Sequence, residues 1–278
     1  MIKFISKGLY TTIQDDGRFG YRNIGVPSSG YMDRESAQTA NLIIDNPINN
    51  PVIEATLIGP TIKFEKSTFI CITGSDFNPM LNESRISLYT PLKVNKGDIL
   101  KINNSSIGSR CYISIKGGIK VDKVLGSKSY YPQISDSSII EKGDEFKFET
   151  NNSEPNYKLI NQKFELNKNL KVFKGPEFNS LNKGSINKII DQEFSIGINN
   201  RMAYNLKEKI QAGTSSIISS PVIPGTVQLT PSGQMIILHR DCQTTGGYPR
   251  ILQLDEKSLN NLAQLRIGDK IKFEIVTL

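Results

Sequence analysis

Short apolar runs separated by turn residues make up most of the chain. "STFICITG", "CYISIKGG", "VIPGTVQL" and "QMIILH" are rich in β-branched residues and bounded by Gly, Pro, Asn or Ser, as strands are. Helical spacing is scarce. In "DRESAQTANLIID" Asp33 is a suitable N-cap, and Ala37, Ala40, Ile43 and Ile44 fall on one face. In "DEKSLNNLAQLR" Asp255 can cap, Leu259, Leu262 and Ala263 share a face, and Gly268 follows the end. A third, short helix is expected at "INKIIDQ" near Ile186. The pattern predicts a mainly β protein with a few short helices.

A small unit recurs. "NKGDILKI", "EKGDEFKF" and "IGDKIKF" each join Gly-Asp to an alternating strand, with Gly97, Gly143 and Gly268 at the turn. The second copy closes the first half and the third closes the chain. Two β-rich halves of related layout follow, 1–150 and 151–278, joined near the polar stretch "TNNSEPNYKLINQ" at 150–162.

Composition narrows the function. The 278 residues suffice for two domains, and 37% are hydrophobic, enough for a real core. The formal charge of +7 comes from lysines interleaved with acids and asparagines, the mark of a solvated basic surface. No basic stripe with interleaved aromatics points to nucleic acid, while an anionic substrate fits the charge. No apolar run approaches the roughly 18 residues of a membrane span, and the start lacks a secretory pattern. Cys71, Cys111 and Cys242 are odd in number and far apart, so a reducing cytoplasm is expected, without disulfides or a zinc site. His239 is the only histidine. A multi-histidine metal site is therefore impossible within the chain, and any His-dependent nucleophile would have to lie beside it. Its place at the end of "MIILH" is that of a strand-end residue.

Two stretches concentrate polar chemistry. "TIQDDGRFGYRNIGVPSSGYMDRE" carries Gln14, Asp15, Arg18, Ser28, Ser29 and Asp33 among four glycines. Glycines let backbone approach a ligand and exposed turn amides bind anions, although Asp33 also suits a helix cap. "DCQTTGGYPRI" places Asp241, Gln243, Thr244, Thr245 and Tyr248 around Gly246 and Gly247. Each stretch precedes a helix, one per half, so the two loops are expected to face each other across a cleft. "VLGSKSYY" holds Gly126, Lys128 and Ser129 but lacks the glycine spacing and Gly-Lys-Ser order of a P-loop.

Taken in order, these motifs resemble the family of the 5-oxoprolinase C subunit, also called KipA-like, allophanate hydrolase subunit 2 or biotin-dependent carboxyltransferase. The resemblance runs through "TIQDDGRFGYRNIGVPSSGYMD", "IEATLIGPTIKF", "GSRCYISIKGGI", "VLGSKSYY", "NNRMAY", "SSPVIPGTVQLTPSGQ", "DCQTTGGYPRI" and "LAQLRIGDKIKF". Lys128 and Tyr130 depart from the family's usual Arg and Thr, Ala203 from Gly, and Ser220 from Glu. Lys128 keeps the charge of an arginine but loses its planar fork. His239 and Cys242 stand at variable positions and inherit no role.

The resemblance implies two cyclophilin-like β-barrel domains with the active cleft between them. It implies one component of an ATP-dependent 5-oxoprolinase, acting with a KipI-like B subunit and a LamB/YcsF-like A subunit to open 5-oxo-L-proline to L-glutamate. ATP would bind this chain or a partner. The alternatives are carboxyl transfer from carboxybiotin to urea or an amide, and a non-enzymatic KipA-type antagonist of a kinase inhibitor. Opening a lactam needs fixed donors for a developing negative charge, and Arg18, Arg201 and the Thr244, Thr245, Gly246 and Gly247 amides and hydroxyls suit that. Asp241 and Tyr248, with Gln243, would hold or deprotonate the amide, and Gln14, Ser29 and Asp33 would bind substrate. None of the five methionines adjoins a lysine, so no covalent biotin is expected.

Overall fold

A computed structural model describes residues 1–149, 153–156, 164–212 and 216–276. The chain forms two compact units, one of Met1–Arg18 with Ser29–Glu165, the other of Phe19–Ser28 with Leu166–Leu278. The expected join at 150–162 lies largely outside the described residues. The segment Phe19–Ser28, midway through the first polar stretch, packs with the second unit, which the sequence pattern does not foresee.

The first unit holds two sheets. One has seven strands, in the order Ile119–Lys120, Glu145–Phe148, Ile2–Ser6, Thr61–Phe64, Ile99–Lys101, Met80–Leu81 and Ser84–Arg85. The other has five, in the order Tyr10–Gln14, Val52–Thr56, Arg110–Ile115, Thr68–Gly74 and Leu92–Val94. Ile2, Phe4, Ile62 and Leu100 from the first sheet meet Ile13, Ile53, Ile70 and Ile113 from the second in one core. Helix α1 (Arg34–Ile43) covers the other face of the five-stranded sheet, where Ala37 packs with Tyr112 and Ile43 with Cys71. That is why the central strand Arg110–Ile115 is buried at every position and shows no alternation.

The second unit closes a seven-stranded barrel: Asn169–Lys174, Arg250–Leu254, Thr226–Leu229, Gln234–Leu238, Ala203–Lys209, Phe194–Asn199 and Lys270–Ile275. Its last strand returns to pair in parallel with the first, Leu170 opposite Phe273. Strict alternation marks the closing strand, with Ile271 and Phe273 inward and Lys270, Lys272 and Glu274 outward. Helices α2 (Lys183–Asp191) and α3 (Glu256–Gln264) flank it, capped by Asn182 and Asp255. α2 starts three residues before the segment the pattern marks. No helix among the described residues is long and apolar enough to cross a membrane.

The three Gly-Asp units are three copies of one turn. Gly97, Gly143 and Gly268 have φ of 96°, 97° and 92°, a region open to glycine. Each amide reaches a neighbouring strand, at Phe64 O, Phe4 O and Ile196 O. Each following Asp accepts the amide three residues before it: Asn95 to Asp98 at 2.8 Å, Glu141 to Asp144 at 2.9 Å and Arg266 to Asp269 at 2.8 Å.

Candidate functional site

In the first unit the strand Tyr10–Gln14 ends where the polar stretch begins, and Asp15 becomes an internal anion. Its Oδ1 accepts from Gly17 N (2.9 Å), Ser127 Oγ (2.6 Å) and Ser129 Oγ (2.6 Å), and its Oδ2 from Lys128 N (2.7 Å). The turn so held clamps Arg18, which donates Nη2 to Ser129 O at 2.6 Å and Nε to Val124 O at 3.4 Å. Arg18 is 1% exposed. Gln14 gives its amide hydrogens to Thr12 Oγ1 and Tyr130 O, so its Oε1 can only accept. That oxygen and Ser29 Oγ are buried without a hydrogen-bond partner. Ser29 is also held at φ 56°, a strained position for a residue with a Cβ. Beside it Gly30 lies against the Asp15–Asp16 backbone, where a Cβ would come within 3.0 Å of Asp15 O.

Asp33 is engaged with the start of the helix. Its carboxylate accepts from Ser36 N (3.1 Å) and Ser36 Oγ (2.6 Å), and its amide donates to Tyr112 Oη. It is the N-cap of α1, and these bonds hold it toward the helix.

In the second unit "DCQTTGGYPRI" is a short ribbon. Thr245–Gly246 pairs with Ser220–Pro221, Val222 N donates to Thr244 O at 3.1 Å, and Ile217 N to Gly247 O at 2.9 Å. Gly246 and Gly247 would be expected to fold the chain through their backbone freedom, but neither has positive φ. At Gly246 a Cβ would sit 2.5 Å from Gln228 Nε2, the end of a side chain that would have to shift. Gln228 in turn takes Gln243 Nε2 at 3.3 Å, while Gln243, Thr245 and Tyr248 stay exposed.

Asp241 and Arg201 are turned to each other. Arg201 Nε meets Asp241 Oδ2 at 2.8 Å and Nη2 meets Oδ1 at 3.2 Å, with both side chains buried. Asp241 N also donates to Arg201 O at 3.0 Å. This two-pronged pair pins the root of the ribbon, so neither charge is presented as a separate base or donor. His239, just before it, accepts Arg240 N at Nδ1 (2.9 Å) and faces Leu259 O with Nε2 (3.2 Å), the pattern of a neutral ring protonated at Nε2. It ties the barrel to α3. Arg240 does the same through Glu256, at 2.6 Å.

The structure thus gathers Gln14, Arg18 and Ser29 in the first unit, and Asp241 to Tyr248 with Arg201 in the second. Sequence reasoning misses Arg22, whose Nη2 donates to Val222 O beside the ribbon. It also misses Glu177, which holds Arg250 through Arg250 Nη2 at 2.8 Å and Arg250 N at 2.8 Å. Arg22 lies inside the quoted stretch, but nothing in its spacing sets it apart from Arg18.

The sequence profile described as carboxyltransferase domain, subdomain A and B, matches residues 24–275. The chain belongs to this carboxyltransferase family. It is similar to the 5-oxoprolinase C subunit of Escherichia coli (strain K12), 30% identical over 280 residues that cover 98% of this chain and 90% of that protein. It is similar to the urea amidolyase of Lachancea kluyveri, 47% identical over 127 residues, 45% of this chain and 7% of that one. The crystal structure of the Kluyveromyces lactis urea carboxylase superposes with a TM-score of 0.90 at 26% identity, covering 99% of this chain and 27% of that one.

The turn at 126–129, a partial match to a phosphate loop in sequence, can be tested for a phosphate seat. The donors that would cradle a phosphate there, Lys128 N and the Ser127 and Ser129 hydroxyls, are all given to Asp15. A carboxylate already fills the anion seat, and the turn does not fit a nucleotide phosphate. Among the described residues no group of three or more His, Cys, Asp or Glu is placed to hold a metal ion.

Proposed function

We propose that this chain is one component of an ATP-dependent 5-oxoprolinase, opening 5-oxo-L-proline to L-glutamate with a KipI-like B subunit and a LamB/YcsF-like A subunit in the cytoplasm. The observation that carries the reading is the reach of the similarity to the 5-oxoprolinase C subunit, 98% of this chain and 90% of that protein. ATP activates the lactam carbonyl in this scheme, and the filled anion seat at Asp15 favours a partner as its holder. This chain's share is to bind and orient. Arg18, fixed by two carbonyls away from water, supplies a preorganised positive charge. Gln14 Oε1 accepts a substrate N–H, and Ser29 Oγ, likewise buried without a partner, supplies a second contact. In the second unit Gln243 and Tyr248, exposed on the ribbon, are contact residues in their own right, with Thr244, Thr245 and the Gly246–Gly247 backbone beside them. Asp241 and Arg201 are positioning residues that hold the ribbon's root.

A second reading, carboxyl transfer to urea or another amide, is favoured by the superposition on the urea carboxylase structure. Deleting the gene separates the two. Under the first reading the cells accumulate 5-oxoproline, and the wild-type gene restores the level. Unchanged 5-oxoproline with lost growth on urea as nitrogen source would replace the first reading by the second.

A further inference from the structure

The arginines around the ribbon differ in one respect. Arg201, Arg240 and Arg250 each carry a carboxylate partner, in Asp241, Glu256 and Glu177. Arg22 has none among the described residues. Its Nη2 is anchored to Val222 O, and its Nη1 is shielded from water without a hydrogen-bond partner. The nearest groups do not balance the charge. Both oxygens of Asp241 are taken by Arg201. The Cys242 thiol lies beside the guanidinium as a weak, uncharged acceptor: burial pushes its pKa up to about 11, although the charge of Arg22 and a hydrogen bond from it pull it back, so it stays neutral at pH 7. A shielded guanidinium edge without an anion is an unfavourable arrangement that a bound anion corrects.

The surroundings show where that anion would sit. Val222, which anchors Arg22, is bonded through its own amide to Thr244 of the ribbon. Arg22 arrives on Phe19–Ser28, the segment that leaves the first unit and packs with the second. The short 3-10 turn Arg22–Ile24 buries no residue, so core packing does not explain its placement.

We infer that Arg22 is an anion-binding residue of the ribbon site, and that its ligand is a carboxylate borne by the small amide substrate. The inference rests on the proposed function for its choice of substrate, since 5-oxoproline carries one carboxylate beside its lactam. The planar fork of arginine matches two carboxylate oxygens, and the Nη1 side is the open prong.

Ligand-observed NMR on the full chain tests this with three probes: 5-oxoproline, 2-pyrrolidinone (the same ring without the carboxylate) and bicarbonate. The wild type is expected to bind 5-oxoproline and to discriminate against 2-pyrrolidinone. Arg22→Gln should weaken 5-oxoproline binding at least roughly tenfold, as loss of a charge-assisted contact does. Its binding of 2-pyrrolidinone should not change. Its melting temperature should match or exceed that of the wild type, because an unbalanced charge is removed. Should Arg22→Gln fail to fold, Arg22→Lys decides: it keeps the charge without the fork and should bind 5-oxoproline more weakly than the wild type. If the wild type binds bicarbonate but not 5-oxoproline, and Arg22→Gln abolishes that binding, Arg22 holds a transferable carboxyl group. The anion-binding role of Arg22 then stands, while its assignment to a substrate carboxylate and the 5-oxoprolinase reading both fall. If the folded variants bind both carboxylates like the wild type, or the wild type binds neither, the assignment is overturned.

Discussion

Replacing Asp15 by Ala would leave four donors inside the first unit without their acceptor: Gly17 N, Lys128 N and the Ser127 and Ser129 hydroxyls. Donors stranded in this way cost about 3 kcal/mol together, after relaxation. In a unit of this size that lowers Tm by roughly 6–12 °C, which calorimetry reads directly. Gln243→Ala and Tyr248→Phe should behave oppositely. Both side chains are exposed, so stability should stay within about 0.5 kcal/mol. Activity of the assembled complex should fall at least roughly tenfold, about 1.4 kcal/mol of barrier. Full activity in both variants would reduce the ribbon to a structural turn. Glu177 supplies a pH test. Its hydrogen bond with Arg250 holds its pKa below the usual 4.5, against a smaller opposing effect of partial burial. A carboxylate depressed on folding stabilises above its unfolded pKa and loses that contribution as pH falls through the folded one. The stability gap between wild type and Glu177→Gln, measured by urea denaturation, should be full at pH 7 and close below about pH 4.5. A gap independent of pH would contradict the assignment. At this scale the sequence is half legible. Asp33 as a helix cap and His239 as a strand-end residue can be read from their neighbours. That Asp241 and Arg201 neutralise each other cannot, because a side chain's partner lies 40 positions away.

The Gly-Asp turns test the same question one level up. A Cβ on Gly97, Gly143 or Gly268 meets no atom within 4 Å, so an alanine there costs only the strain of the left-handed backbone. Each Gly→Ala change should cost about 1 kcal/mol, and the three values should agree. A much larger cost at one turn would show that it is not equivalent to the others. Local chemistry makes these turns visible, and spacing makes the three helices and the alternating strands visible. The order of strands is not visible. Nothing in a period of two says that Lys270–Ile275 pairs in parallel with Asn169–Lys174 to close a barrel, or that Arg110–Ile115 is covered on both faces. The crossing of Phe19–Ser28 into the second unit escapes for the same reason: its glycines read as a loop, whichever body the loop joins.

For the molecule as a whole, the family is legible because many short motifs occur in one order, although each alone is common. Partners and substrate leave no such trace, since they depend on surfaces contributed by other chains. Intact mass of the protein purified from biotin-fed cells is expected to equal the sequence mass, and an added biotin would make this chain a carrier rather than a visitor's host. The most direct test of the central proposal is reconstitution by omission. ATP hydrolysis and glutamate formation are measured with 5-oxoproline and this chain, its KipI-like and LamB/YcsF-like partners, or all three. The account predicts turnover that depends on 5-oxoproline only when all three are present, and none from this chain alone. Robust turnover by this chain alone, or a full rate from the two partners without it, would contradict the account.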